Sequence, residues 1–158
     1  MTAGLVIGLD LVTKFAAEAG LTGRPPLEIV GDWFRLALVY NQGAAFGLSL
    51  GPFSRWIFFG FAVVACVVLE RLSRQADPGD KVRQLALGLV AGGAFGNLVD
   101  RVRSARGVVD FLDVGIGALR WPTFNVADIA VSCGAIALAL SFWREDVTRA
   151  RQQATPLP

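Results

Sequence analysis

The chain has 158 residues, 54% of them hydrophobic and 18% charged, with a net charge of +2 and no histidine. A mean hydropathy of +0.53 exceeds what a water-soluble domain of this length can bury, and the charges fall in blocks between apolar runs, so the chain reads as one multi-pass membrane domain over residues 1–158. The small net charge, with no basic stripe between aromatics, excludes nucleic-acid readout, and the lack of histidine excludes Ser/His and Cys/His catalysis and HExxH zinc hydrolysis.

Four apolar segments, about residues 3–19, 52–69, 85–99 and 126–143, predict a mainly α membrane protein of four antiparallel transmembrane helices. In the first, Asp10, Lys14 and Glu18 recur every four residues and share one helical face. Asp10 and Lys14 can pair there, either as a buried structural pair or as a substrate contact. In both cases that face points toward protein or water, because ionised groups are costly against lipid.

Between the first two segments the period changes. Phe34, Leu36, Leu38 and Tyr40 alternate with Arg35, Ala37, Val39 and Asn41, which predicts a strand, and Asn41, Gln42 and Gly43 supply a turn. Residues 44–47 follow as a compact segment near re-entry to the membrane. A second β-prone stretch at residues 108–114 can pair with the first, so we expect a small β-sheet cradle, about residues 28–48 and 108–120, on one side of the bilayer.

The apolar cores of the last three segments are short for a full span, which puts Arg55, Arg71, Arg83 and Arg144 near the interfaces with their stems snorkelling. Trp56, Trp121 and Trp143 at segment ends fit an aromatic belt. Gly88, Gly92 and Gly96, with Gly93 beside them, strip one face of the third segment so that another helix can approach; this predicts a rigid scaffold ending at Asn97. Cys66 and Cys133 lie in apolar runs without CxxC spacing and read as packing residues, not as metal ligands or a disulfide.

An even number of spans puts both termini, the loop at residues 71–83 and the tail from residue 144 on one side. Seven Lys and Arg fall there and eight on the other side, so the raw charge bias does not set orientation. If Lys14 and Arg101 belong to a site, the remainder tips by a small margin toward cytoplasmic termini.

What chemistry remains is carboxylate chemistry. Asp110, in Val109-Asp110-Phe111, and Asp128, in Phe124-Asn125-Val126-Ala127-Asp128, stand beside strongly apolar segments. Two aspartates held close cannot both ionise cheaply. They share one proton, so that one takes a proton from water while the other polarises the carbonyl under attack. Taken singly, Asp110 also reads as a strand-end acid bonded to backbone amides, and Asp128 as an N-terminal cap on the fourth helix. Asn97, Arg101 and Asn125 beside them favour a site, and Asp100 next to Arg101 reads as a local ion pair that orients the loop.

In order along the chain, Asp10, Thr13 and Lys14; Asn41, Gly43, Ala44, Ala45, Phe46 and Gly47; Gly96, Asn97, Asp100 and Arg101; Val109, Asp110 and Phe111; and Phe124, Asn125, Ala127 and Asp128 resemble the successive motifs of the lipoprotein signal peptidases, or signal peptidase II. The resemblance runs from Asp10 to Trp143. It implies an aspartic endopeptidase of the bacterial inner membrane that cuts prolipoproteins on the N-terminal side of a diacylglyceryl-modified cysteine. By the same resemblance Asp110 and Asp128 are the dyad, Asn97, Arg101 and Asn125 position substrate or brace the acids, Asn41 lines the cradle, and Asp10 with Lys14 orders the site's edge. The family places the site near the extracytoplasmic face with cytoplasmic termini. The implied partners are lipid-modified prolipoproteins and membrane lipid, the enzyme acting as a monomer without a cofactor.

Two departures stand out. Only nine residues precede Asp10, short for a first span, and Leu11 stands where the family commonly has glutamine. The expectation is either a start upstream of Met1 or a helix that begins within the interface. Two other classes compete: a small proton-coupled transporter subunit using Asp10, Asp110 and Asp128 as a relay, and a noncatalytic membrane assembly factor. The first predicts acids spread through the membrane depth and paired internal repeats, and the chain shows neither.

Overall fold

The structure, a computed structural model, describes residues 1–43 and 51–154. The segment expected at residues 44–47 lies outside the described residues. In chain order the elements are α1 (Thr2–Leu21), β1 (Leu27–Val30), β2 (Phe34–Asn41), a 3-10 turn (Gly51–Phe53), α2 (Ser54–Gln75), α3 (Lys81–Arg103), β3 (Val108–Ile116), β4 (Leu119–Arg120) and α4 (Val126–Ala154). The helices overrun the apolar segments by their charged ends. One such end is fixed by the Asp80 side chain, which accepts from the Arg83 N–H at 2.9 Å and caps α3.

Three helices among the described residues, α2, α3 and residues 126–147 of α4, are long and apolar enough to cross a membrane; α1, with three charged residues, is not among them. Its sides are nonetheless sorted as lipid would sort them. Asp10, Lys14, Ala17 and Leu21 are buried, while Leu5, Leu9, Val12 and Phe15 are exposed on the outward face. Phe61, Val64, Val67, Leu140 and Trp143 likewise clothe the outside of α2 and α4. Apolar patches of this extent on a small protein need a nonaqueous neighbour.

α3 packs against all three other helices. The glycine face read from the sequence is what admits α1: a β-carbon on Gly88 would stand 2.8 Å from Thr2 Cβ, and one on Gly92 would stand 2.8 Å from Val6 Cβ and 2.9 Å from the Ala3 carbonyl oxygen. Gly93, turned the other way, lies against the Ala127 carbonyl of α4. Side chains at these positions would wedge apart the three helices that carry the polar residues.

The expected pairing of β2 with β3 is present within a four-stranded antiparallel sheet, ordered β1-β2-β3-β4, at the end of the bundle where α1 and α3 finish and α4 starts. β2 carries one feature that simple alternation misses. Leu36 pairs with Leu112 but Val39 pairs with Asp110, so β2 spends one residue more than β3 over that stretch. Paired residues share a sheet face, so this bulge moves Val39 and Asn41 onto the face that carries Asp110. Further along β3, Asp113 accepts from Arg35 Nη2 of β2 at 2.8 Å and from Arg120 Nε of β4 at 2.6 Å, tying both neighbouring strands to β3. Burial alone would push the Asp113 carboxyl up, but these two guanidiniums hold it below the usual carboxylate range.

Candidate active site

Asn41, Asn97, Arg101, Asp110 and Asp128 line one cavity of about 630 Å³ at the sheet end of the bundle, bounded by Phe58 and Ala62 of α2, Ala94 of α3 and Ser132 of α4. Four different elements deliver the polar groups. β2 brings Asn41, α3 brings Asn97 and Arg101 one turn apart, β3 brings Asp110, and the first turn of α4 brings Asp128.

Each carboxylate receives two N–H donors. Asp110 accepts from Asn125 Nδ2 at 2.7 Å and from Asn41 Nδ2 at 3.1 Å. Asp128 accepts from Asn97 Nδ2 at 2.9 Å and from the backbone N–H of Asn125 at 3.1 Å. Asn125 therefore joins the pair, and it does so while capping a helix: its Oδ1 accepts from the Asp128 N–H at 3.0 Å, so the two residues form a reciprocal capping box. Neither alternative reading of the two acids holds: Asp128 is the third helical residue with Asn125 as the cap, and among the described residues Asp110 is held by side-chain amides and not by backbone N–H groups.

Asp110 is 2% exposed. Burial pushes its carboxyl up to about 7; the charge of Asp128 pushes the same way, against hydrogen bonds from Asn41 and Asn125 and the more distant Lys14 ammonium. At neutral pH the site is therefore poised to keep a proton. Arg101 supplies the cationic wall of the cavity. It donates from Nη1 to the Asn97 carbonyl at 3.2 Å and from Nη2 to the Gly43 carbonyl at 3.0 Å, and among the described residues it makes no ion pair.

Asp10, Lys14 and Asp100 do not line the cavity. They form a fully buried cluster behind it, with Lys14 Nζ 2.7 Å from Asp10 Oδ2 and 2.8 Å from Asp100 Oδ2. Asp10 reaches across to α4, where its Oδ1 accepts from the Ala127 N–H at 2.9 Å. Asp100 Oδ1 pairs with Arg103 at 2.7 Å, and its Oδ2 accepts from the Val109 N–H at 3.1 Å, which fixes β3 one residue before Asp110. The expected Asp100–Arg101 ion pair is thus replaced by pairs to Lys14 and Arg103: on a helix, adjacent residues point apart, whereas residues three apart meet.

Several neighbours were not legible as site residues. Trp121, read as part of an aromatic belt, lines the cavity with Pro122, Thr123 and Phe124. Cys133, read as a packing residue, is exposed and lies on the same wall, while Cys66 is half-buried; both thiols are free. Arg55 donates to the Arg101 carbonyl at 2.6 Å and the Val102 carbonyl at 3.1 Å, satisfying the end of α3 from the first turn of α2. Its place at a segment end was the only sequence signal for it.

A largely apolar cleft that gathers two carboxyls and a guanidinium, in a bundle with an apolar exterior, fits a membrane enzyme. Comparison with known proteins carries the assignment further. The chain belongs to the signal peptidase II family, whose profile matches residues 2–144. It is 41% identical over 148 residues to the lipoprotein signal peptidase of Syntrophotalea carbinolica, covering 93% of this chain and 91% of that one. It is 40% identical to the lipoprotein signal peptidase of Hydrogenovibrio crunogenus, covering 88% and 81%. Its fold matches two solved structures, each described as a bacterial membrane enzyme. One has a TM-score of 0.81 and 26% identity, covering 99% of this chain and 92% of the other; the second has a TM-score of 0.78 and 28% identity, covering 89% of each.

Proposed function

We propose that this signal peptidase is an aspartic endopeptidase of the bacterial inner membrane, with Asp110 and Asp128 as its dyad and diacylglyceryl-modified prolipoproteins as its substrates, cleaved on the N-terminal side of the lipidated cysteine. The observation that carries this is the delivery of two carboxyls, from β3 and α4, to one cavity through the shared Asn125. With one proton and one negative charge between them, the charged carboxyl takes a proton from a water as that water's oxygen attacks the peptide carbonyl. The protonated carboxyl gives its proton to the carbonyl oxygen; on collapse of the tetrahedral species the proton taken from water passes to the departing amine and a hydroxyl of that species returns a proton to the second carboxyl, so the pair ends with one proton as it began. Asn41, Asn97 and Asn125 hold the carboxyls at fixed angles, and Arg101 offers a cation to backbone carbonyls of the bound peptide.

Further support comes from the surface. The outward apolar face of α1 favours a fourth span despite its buried charges; with it, our reading is a single domain over residues 1–158, with the cradle near the extracytoplasmic face and the termini on the cytoplasmic side, acting as a monomer. A relay through the membrane is not favoured, since the acids of the site gather at one end of the bundle.

Asp110→Asn and Asp128→Asn should each lower cleavage of a lipid-modified prolipoprotein by purified enzyme by roughly 1,000-fold or more while the protein stays folded. Normal turnover by either variant would refute the dyad. Exchange of the substrate's lipidated cysteine for serine should also block cleavage; equal processing of both forms would point to a general peptidase.

A further inference from the structure

We infer that Lys14, which touches neither the cavity nor any substrate lodged there, is a positioning residue that sets the direction of the Asn97 side chain and through it the geometry of Asp128. The inference rests on the dyad assignment above. An asparagine amide presents a donor on one side and an acceptor on the other, and by shape alone it fits its place either way round. Only one of the two directions gives Asp128 a donor; the reverse would set the Asn97 oxygen against a carboxylate oxygen.

Lys14 removes the choice. Its ammonium is a donor with no acceptor capacity: it forms ion pairs with Asp10 Oδ2 at 2.7 Å and Asp100 Oδ2 at 2.8 Å, and donates a hydrogen bond to Asn97 Oδ1 at 2.9 Å. The Asn97 oxygen must face this fully buried cation, so its Nδ2 must face Asp128 Oδ1, where it stands at 2.9 Å. Asn125 Nδ2, 3.1 Å from the same oxygen, adds a second donor on that side. Asn125 is itself pinned by the Asp128 N–H of α4, which obliges its oxygen to face the helix and its Nδ2 to face Asp110. Each dyad member thus has one amide whose direction is locked from behind, one by a helix end and one by a lysine.

The surrounding charges keep Lys14 in this role. Asp10 and Asp100 flank the Lys14 ammonium, and Arg103 also pairs with Asp100, so the buried lysine is held between two carboxylates and the Asn97 oxygen without spare reach for chemistry of its own.

The test is a double-mutant cycle on kcat for a diacylglyceryl-modified prolipoprotein. Lys14→Met keeps the length of the side chain but leaves Asp10 uncompensated, so Lys14→Met with Asp10→Asn is measured beside it. That pair conserves the buried charge and the carbonyl-type oxygen that accepts from Ala127. Expected is a fall in kcat of about 10-fold or more with KM within about 2-fold, and less than about 2-fold further loss when the same change is made in an Asn97→Ala background. Losses that multiply in the two backgrounds, or a rise in KM at unchanged kcat, would overturn the role of Lys14. The dyad assignment fails separately, by activity in Asp110→Asn or Asp128→Asn.

Discussion

Replacing Asp110 by asparagine should separate the cost of the site from its chemistry. The carboxyl titrates at about 7 in the fold against 3.8 as its ordinary value, because it is buried beside a second acid. A raised carboxyl pKa means that the native state keeps a proton that the unfolded chain releases, so stability is greatest below the unfolded value, declines as pH rises through the interval and levels off above about 7. Roughly three pH units at 1.36 kcal/mol each make the whole effect about 4 kcal/mol, of which about 3 kcal/mol falls between about pH 4.5 and pH 8. Asparagine does not titrate, so the variant lacks this slope. It also has a fixed penalty of about 1–3 kcal/mol, since its NH₂ must face that of Asn41 or Asn125, but a fixed penalty does not vary with pH. Thermal unfolding in detergent micelles reads the difference. The Tm of Asp110→Asn relative to the unsubstituted protein should climb by about 6–12 °C from about pH 4.5 to pH 8, taking about 2–4 °C per kcal/mol for a chain of this size. Parallel Tm curves across that range would show that Asp110 is not held protonated, and the shared-proton scheme would go with it.

The same proton governs turnover: cleavage should fall on the alkaline side with a limb near 7, as Asp110 loses the proton that the carbonyl oxygen requires, and a kcat flat to about pH 9 would contradict that role. Gly96→Ala should destabilise the protein by about 1–3 kcal/mol and lower activity as well, because its β-carbon would stand 2.5 Å from Asp10 Oδ2, the oxygen that pairs with Lys14. Gly60→Ala in α2, where nothing lies within 4 Å, is the control and should be neutral or stabilising by up to about 1 kcal/mol; equal Tm losses at both positions would remove the close-packing account.

Features written locally in the chain were legible before the fold was known. Apolar length gave α2, α3 and α4 as helices able to cross a membrane but expected the same of α1, which is not among them; the glycine interval gave the face that meets α1, and period two gave the strand that pairs with β3. Chain-order motifs brought Asp110, Asp128, Asn41, Asn97, Arg101 and Asn125 to one place. What escaped was set by contacts between remote segments. The oxygen of Asp10 that accepts from Ala127 bridges 117 positions, and nothing near Asp10 announces a helix start so far away. Asp100 stands beside Arg101 in sequence, but its ion-pair partners, Lys14 and Arg103, lie on another helix and one turn along its own. The bulge in β2 hides behind regular alternation, because an extra residue in one strand is visible only once the partner strand is in register. Trp121 at a segment end looks the same whether it anchors in lipid or walls a cleft.

The capping box at the start of α4 leaves position 125 almost no freedom. Serine or aspartate would serve the helix as well as asparagine does, yet neither carries an NH₂ to extend to Asp110 while its oxygen is occupied. Glutamine has both groups but one methylene too many for the cap. A substitution chosen to toughen this helix would therefore silence the neighbouring acid's support, so thermal robustness and turnover cannot be tuned separately at this residue.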